Sequence, residues 1–204
     1  MNYEKLKEAE EKFFMDYPEG FNDPEIVKIG KKHKLGKISE FANEVFAKDK
    51  FEDVDQIVED MIKLVSKSSM VSLFEKPKFR DGVRSFTRDE REILVKAVYE
   101  LIHGNEELGF NMLLDLLTAY KLAKWTLISV FRCYMYPEYD LLFKPTTVKG
   151  IIAKYEIEDL VYKARPSYDF FVRYRDVINE MKKHVDPSLS PNNPSFSGFL
   201  MMTM

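Results

Sequence analysis

The sequence contains few cysteines, glycines and prolines, and it has no long apolar run. Cys133 is the only cysteine in 204 residues, which excludes an intramolecular disulfide and a zinc site built from several cysteines. Eight glycines and nine prolines fall below the roughly 12% of average chains, so a many-stranded β-sandwich or barrel is not expected. The apolar stretch that begins at Trp125 ends at Arg132, far short of the ~20 residues that span a bilayer.

Neither sign of charge dominates the chain. Lys and Arg number 31 against 34 Asp and Glu, a net charge of −3, so any binding to nucleic acid or to an anionic membrane would have to come from a local patch. The first twenty residues are acidic and amphipathic, unlike a secretory signal. We therefore expect a cytoplasmic protein without a transmembrane part or a membrane partner.

Common catalytic motifs are absent as well. The chain has no GxSxG, no HExxH, no P-loop and no dinucleotide fingerprint. Nothing in the sequence indicates a cofactor, and it leaves open whether the protein is an enzyme.

Apolar residues recur at helical spacing in four segments, which predicts four amphipathic helices. These segments are Ile38–Phe46, Val54–Val65, Ile93–Ile102 and Phe170–Met181. Thr87 and Glu90 have the spacing of a capping box, and Gly104 follows where that helix should end. The pair Asp23-Pro24 marks another helix start, because proline at the first helical position loses no hydrogen bond.

The apolar pattern also predicts the centre of the fold. Residues 108–117 and 120–136 are apolar nearly all round, so we expect them to form a central helix pair. Proline and Asp-Gly signals predict irregular segments at 74–86, 137–147 and 185–194, followed by an apolar C-terminal segment that docks on the core. The prediction is an all-α fold of about eight to ten helices in one domain over residues 1–204, with a subdivision near 70–86 left open.

Charged residues are segregated into blocks. Residues 28–37 carry five lysines and no acid, whereas residues 49–60 carry six acids and one lysine. The lysines either form a phosphate-binding face or belong to a solvated helix surface paired with the acidic block. Basic residues between 144 and 175 alternate with tyrosines, a pattern that suits single-stranded nucleic acid but is also explained by core packing. The candidate anion or nucleic-acid patch consists of Lys31, Lys32, Lys34, Lys37 and Arg165.

Two further groups of reactive residues have structural explanations. Glu100 and His103 show the Glu-x-x-His spacing of di-iron bundles, but the motif occurs once, which favours a histidine at a helix end. Cys133 lies in an apolar helix with no histidine nearby in sequence, which favours a buried thiol.

In residues 74–81, ionisable residues of both signs stand among phenylalanines, so we expect a partly buried ion pair that either specifies the fold or forms a site.

Several short motifs occur along the chain in a defined order. They are Tyr17-Pro18-x-Gly20-Phe21-x-Asp23-Pro24, Phe74-Glu75-Lys76 with Arg80-Asp81, Lys124-Trp125 with Phe131 and Pro137, Leu142-x-Lys144-Pro145-Thr146-Thr147, and Pro194-Ser195-Phe196. Through these motifs the chain resembles a family of uncharacterised bacterial all-helical proteins of similar length, and the resemblance extends over nearly the whole chain. That family's members carry an aspartate-containing stretch before the Ser-Phe pair and a tryptophan after it, which this chain lacks. The resemblance implies a self-contained bacterial domain and no established reaction, cofactor or partner.

The resemblance also raises a set of residues as candidates for one polar cluster near Trp125. They are Glu75, Lys76, Arg80, Asp81, Lys124, Lys144 and Thr146. Three functions remain open: a binding or interaction protein with an unknown ligand, a nucleic-acid-associated accessory or defence protein, and an enzyme acting on an anionic small molecule. In the enzyme hypothesis, Glu75 or Asp81 is the general base and Lys144 or Arg80 holds the anion.

Overall fold

The computed structural model describes residues 1–204, which form helices and connecting segments without β-strands. The α-helices are α1 (Tyr3–Asp16), α2 (Pro24–His33), α3 (Leu35–Val45), α4 (Val54–Lys67), α5 (Glu75–Arg84), α6 (Arg88–His103), α7 (Glu106–Ala119), α8 (Trp125–Met135), α9 (Pro145–Lys154), α10 (Tyr168–Met181) and α11 (Asn193–Met202). Short 3-10 helices lie at Gly20–Asn22, Lys48–Lys50, Lys182–His184 and Pro187–Leu189. Only Lys34, in a left-handed conformation, separates α2 from α3. The all-α prediction is confirmed.

Local sequence signals explain several helix ends. The Glu90 N–H donates to Thr87 Oγ1 (3.3 Å) and the Thr87 N–H donates to Glu90 Oε2 (2.8 Å), so the predicted capping box begins α6. Gly104 ends the same helix. Asp23 caps α2 by accepting a hydrogen bond from the Glu25 N–H. These three predictions are confirmed.

Residues 74–86, expected to be a loop, form α5 instead. The Glu75 N–H donates to Ser72 Oγ (3.2 Å) and the Ser72 N–H donates to Glu75 Oε2 (3.3 Å), which is a reciprocal cap of the same kind as in α6. Pro77 lies in the first turn, where its missing N–H has no helical partner to lose. The loop prediction is therefore wrong, because Pro77 and the pair Asp81-Gly82 are accommodated inside the helix.

Two other irregular segments that were predicted from prolines end earlier than expected. The sequence predicts irregular chain to residue 147 and to residue 194, but α9 begins at Pro145 and α11 begins at Asn193 with Pro194 in its first turn. In both helices proline occupies a first-turn position that suits its fixed φ angle. The irregular segments are shorter than predicted.

Helix α8 is the centre of the molecule. Every residue from Trp125 to Met135 is buried, and the Trp125 ring stacks on Phe143 at 5.3 Å between centroids. Helix α7, the other member of the predicted pair, buries only one face and leaves Leu108 exposed. It packs closely along α6, where Gly109 lies against the α6 backbone at Leu101. The central position is therefore confirmed for α8, whereas α7 lies at the periphery.

One hydrophobic core of 53 buried residues extends from Leu6 in α1 to Leu200 in α11 and includes residues on both sides of segment 70–86. All four predicted amphipathic helices contribute their apolar stripes to it. The C-terminal segment docks as expected, since Phe196, Phe199 and Leu200 are fully buried. None of the helices is long and apolar enough to cross a membrane.

Candidate functional site

Four charged residues meet in the interior and form what we call the charge cluster: Glu106, Arg132, Asp140 and Arg175. Asp140 is fully buried and binds both arginines, Arg132 Nη2 at 2.8 Å and Arg175 Nη1 at 2.9 Å. Glu106 binds the same two groups, each at 2.9 Å. Because two carboxylates face two guanidinium groups, the cluster is neutral, and each charge has partners that offset its removal from water.

Residues 74–81, where the sequence predicts a partly buried ion pair, do not contain this network, and that prediction is wrong. Burial lowers the pKa of Arg175 while hydrogen bonds to Glu106 and Asp140 raise it, and the net shift is upward, so the guanidinium stays charged. By contrast, Arg80 and Asp81 bind only each other, at 2.8 Å on the surface. The sequence did contain a signal for the true location, because Arg132 interrupts an apolar helix and Arg175 lies on the apolar stripe of α10.

The predicted polar cluster does not form one cavity. Thr126 Oγ1 donates to Glu75 at 2.9 Å, and Lys124 lies beside it as the N-cap residue of α8. Lys144 is the N-cap residue of α9 and lines a different cleft. The remaining members are distributed over exposed or half-buried positions in α5 and in the first turn of α9, namely Lys76, Arg80, Asp81 and Thr146. The enzyme hypothesis requires one pocket that holds Glu75 or Asp81 as the base and Lys144 or Arg80 as the anion-binding group. Of these four residues only Lys144 lines either described cleft, so neither cleft has this arrangement.

A depression of about 730 Å³ lies between the N-terminal turns of α4 and α6, and we call it the acidic depression. Its charged side chains pair with one another: Arg91 binds Asp55 at 3.1 Å and Arg88 binds Glu92 at 3.2 Å. Asp53 is engaged in capping α4. Apart from Glu52, its charged side chains therefore already have partners, which leaves little to recognise a ligand.

A smaller cleft of about 250 Å³, which we call the apolar cleft, lies between α2, residues 142–147 and α11. Its walls are mainly apolar side chains. They are Phe21, Ile26, Ile29, Leu35, Met70, Leu142, Pro194, Met201 and Met202. The polar lining residues are His33, Lys144, Thr147, Ser195 and Ser197, and no carboxylate lines the cleft.

The polar side of the apolar cleft is electropositive. Lys144 forms no ion pair, and the free N–H groups in the first turn of α9 add partial positive charge near Thr147. Burial lowers the pKa of His33, and the positive charges of Lys144 and Lys32 lower it further. His33 Nδ1 is hydrogen-bonded to Ser69 Oγ at 2.9 Å. This combination of apolar walls and uncompensated positive charge suits a ligand with both an apolar and an anionic part.

The lysines of block 28–37 do not pair with the acidic block. Glu59 instead binds Arg84, Asp55 binds Arg91 and Asp60 binds Lys63, at 3.0, 3.1 and 2.9 Å. The expected pairing of the two blocks is therefore wrong. The candidate patch residues are all exposed and outside any ion pair. Lys31 and Lys32 lie in α2, Lys34 between α2 and α3, Lys37 in α3, and Arg165 between α9 and α10.

The remaining reactive residues have structural roles. His103 Nε2 is hydrogen-bonded to the Phe46 carbonyl at 2.7 Å, which holds the end of α6 against α3. The Cys133 thiol is fully buried in α8, and burial raises its pKa. Both agree with the structural interpretation of these residues.

Compared with protein-family models, curated proteins and solved structures, the chain matches none. The resemblance to a bacterial family therefore stays a prediction, and the geometry of the molecule carries the argument about function.

Proposed function

We propose that the protein binds a small anionic amphiphile, such as a fatty-acid-like carboxylate, in the apolar cleft. The observation that supports this proposal is the division of the cleft into apolar walls and a positively charged side without a carboxylate. The anionic group pairs with Lys144 next to His33, and the apolar tail lies between Ile26, Leu142 and Met201. This proposal specifies the ligand of the binding-protein hypothesis.

The arrangement favours binding over catalysis. His33 and Ser69 form a hydrogen-bonded pair, but no carboxylate orients the imidazole, and its positive neighbours lower its pKa. A serine–histidine nucleophile depends on a third group that orients the base and stabilises its protonated form. The cleft therefore offers recognition groups without an activated nucleophile.

Titration calorimetry with decanoate tests the proposal. We expect decanoate to bind, acetate to fail because it lacks the tail, and 1-decanol to bind more weakly because it lacks the charge. Lys144→Met keeps the length of the side chain and removes its charge, so it should weaken decanoate binding about ten-fold or more. The matched control is Lys149→Met, which changes an exposed lysine of the same helix that does not line the cleft.

A steric variant tests the apolar part of the site. Gly198 lines the cleft, and a Cβ at this position meets no atom within 4 Å, so Gly198→Leu extends into free space and fills the cleft. It should abolish binding of both decanoate and 1-decanol. Gly36→Leu, at a helical position with equal free space outside the cleft, is the control. Absence of decanoate binding to the wild type, or equal binding to Gly198→Leu, would contradict the proposal.

A further inference from the structure

Two adjacent apolar side chains project from the segment before α5. Leu73 is 80% exposed and Phe74 is 82% exposed, and Val161 on another segment is 72% exposed. Apart from Met15 on α1, no other large apolar side chain is as exposed. A leucine and a phenylalanine side by side in water form an unfavourable apolar protrusion, and such protrusions mark interaction surfaces.

Hydrogen bonds place these residues at one end of the molecule, where α8 begins. Glu75, next to Phe74, accepts a hydrogen bond from Thr126 at 2.9 Å. Trp125 Nε1 donates to the carbonyl of Lys163, two residues after Val161, at 2.8 Å. Consecutive residues of α8 therefore hold both exposed apolar segments.

The same end also includes the C-terminal end of α2. His33 Nδ1 is hydrogen-bonded to Ser69, which lies four residues before Leu73. The positive charges of Lys144 and Lys32 are close enough to His33 to lower the pKa of its imidazole. The apolar protrusion is therefore flanked by the end of α2 on one side and by the start of α8 on the other.

The segments that carry or flank this protrusion bear nine cations that form no ion pair. We call the combined surface the basic face, defined by the apolar residues Leu73, Phe74 and Val161 and by the cations Lys31, Lys32, Lys34, Lys76, Lys78, Lys124, Lys144, Lys163 and Arg165. The acids on the same segments are Glu75, which is bound to Thr126, Asp81, which is bound to Arg80, and Glu25, Glu158 and Asp159. Positive charge is therefore in clear excess.

The acidic depression lies at the other end of α4. Helix α4 has 14 residues, which at 1.5 Å per residue places its N-terminal turn about 20 Å from the Ser68–Ser69 end. The acids at its N-terminal end include Asp53, Asp55 and Glu92, which line the acidic depression. The net charge of −3 therefore hides regions of opposite sign that lie apart on the surface, and the basic face can attract an anionic surface.

We propose that the basic face docks on an anionic lipid bilayer, with Leu73 and Phe74 inserted among the headgroups and the lysines in contact with lipid phosphates and carboxylates. Apolar residues surrounded by lysines are typical of surfaces that bind membranes peripherally, because insertion and electrostatic attraction add together. Lysine is depleted in protein interfaces. Phe74 could stack on a base, but the equally exposed Leu73 and Val161 could not, whereas a lipid headgroup region accommodates all three, so lipid fits this surface better than protein or nucleic acid. The proposal does not depend on the ligand of the apolar cleft.

Vesicle co-sedimentation with the full chain tests this proposal. We expect binding to vesicles of phosphatidylcholine mixed with phosphatidylserine, and little binding to phosphatidylcholine alone. Raising the salt concentration from about 0.1 M to about 0.5 M should weaken the binding by ten-fold or more, because it screens the lysines. Absence of binding to the anionic vesicles at low salt would overturn the proposal.

Matched variants separate insertion from attraction. The double variant Leu73→Ser, Phe74→Ser should reduce vesicle binding about ten-fold or more, whereas Met15→Ser, which changes an equally exposed residue on α1, should leave it unchanged. Lys76→Gln with Lys78→Gln should weaken binding and reduce its salt dependence, and Lys7→Gln with Lys12→Gln is the control pair on α1. Equal binding by the double variant and by Met15→Ser would contradict insertion.

Two further measurements decide between lipid and other partners. An RNA oligonucleotide tested by gel shift at low salt should bind weakly or not at all, and RNA binding without vesicle binding would overturn the proposal. Gly198→Leu, which fills the apolar cleft, should bind vesicles as the wild type does. Failure of the cleft ligand and failure of membrane docking are therefore distinguishable.

Discussion

Asp140 holds two arginines in the interior with one carboxylate. Its side chain is fully buried, and each of its oxygens accepts from a guanidinium group of Arg132 or Arg175. Ion pairs removed from water in this way are stable only while all partners are present. Loss of the Asp140 carboxylate should therefore lower the stability of the fold more than loss of any exposed acid of the chain.

Asp140→Asn keeps the shape of the side chain and removes its charge. Two buried guanidinium groups then share the single carboxylate of Glu106, so we expect the free energy of unfolding to fall by about 3–5 kcal/mol. Urea unfolding followed by circular dichroism measures it. Asp81→Asn is the control, because Asp81 binds Arg80 on the surface and its loss should not change stability measurably. Equal midpoints for the two variants would show that the charge cluster does not stabilise the fold.

His33 makes folding depend on pH. Its pKa is below 6.5 in the folded protein because of burial and the nearby Lys144 and Lys32. The unfolded chain therefore takes up this proton at a higher pH than the folded protein, and stability falls as the pH drops through 6.5. Stability of the wild type should decrease from about pH 7.5 to about pH 5.5 more steeply than that of His33→Asn, which keeps a polar group beside Ser69 but does not titrate. Parallel pH profiles of the two proteins would contradict this.

Single residues were predictable where they act locally and not where they act at a distance. Thr87 and Glu90 are three residues apart, so sequence spacing alone identifies their capping box. Asp140 and Arg175 lie far apart in the chain, and no spacing rule brings them together. A charge inside an apolar helix, as at Arg132, indicates that a buried partner exists but does not identify it.

At the scale of helices, the closest approach is that of α6 and α7. A Cβ added at Gly109 would lie 2.1 Å from the Leu101 nitrogen and 2.7 Å from the Ala97 carbonyl oxygen. Both are backbone atoms, so no side-chain rotation relieves the clash. The missing side chain at Gly109 therefore sets the distance between the two helices.

Gly109→Ala tests this contact against helix propensity. Alanine favours a helix over glycine by about 1 kcal/mol, yet here we expect a loss of about 1–3 kcal/mol because α7 must move away from α6. Gly36→Ala, in α3 with no atom within 4 Å of the added Cβ, should be neutral or stabilising. Thermal melts of both variants measure the difference. A higher melting temperature for Gly109→Ala than for the wild type would contradict the packing argument.

The errors in helix limits share one physical cause. Proline breaks a helix in its interior but is favourable in its first turn. Pro77, Pro145 and Pro194 all lie in first turns, and for Pro77 the Ser72–Glu75 capping pair was readable in the sequence. Amphipathic helices were predicted well because a stripe of apolar residues is local information.

At the scale of the whole molecule, the other helices surround α8, and the reactivity of the Cys133 thiol measures how often this centre becomes exposed to solvent. Burial raises the pKa of the thiol, and the nearby negative charge of Asp140 raises it further, so the reactive thiolate is scarce in the folded protein. We expect a thiol reagent such as DTNB to react with the native protein only through global unfolding. The labelling rate should therefore rise in Asp140→Asn as its stability falls. Rapid labelling of the native wild type, at the rate of the urea-unfolded chain, would contradict the buried position.

The apolar cleft could not have been predicted from sequence. Its polar residues come from three distant segments, represented by His33, Lys144 and Ser195, and each segment alone has an ordinary structural explanation. The sequence did identify the lysines of α2 as candidates for anion binding, because a run of one charge is visible locally, and Lys144 as a candidate through the motif resemblance. Their position beside an apolar cleft follows only from the tertiary fold, which brings residues of α2, α9 and α11 around one cleft.

The charge cluster also has a consequence for how this protein can change through descent. Replacing any one of Glu106, Arg132, Asp140 and Arg175 leaves the others buried and short of a partner, so single replacements are selected against. Related chains should therefore either inherit all four residues together or exchange the set for apolar residues of similar volume. If the four residues were replaced one at a time, the intermediate proteins would be less stable than both the starting and the final sequence.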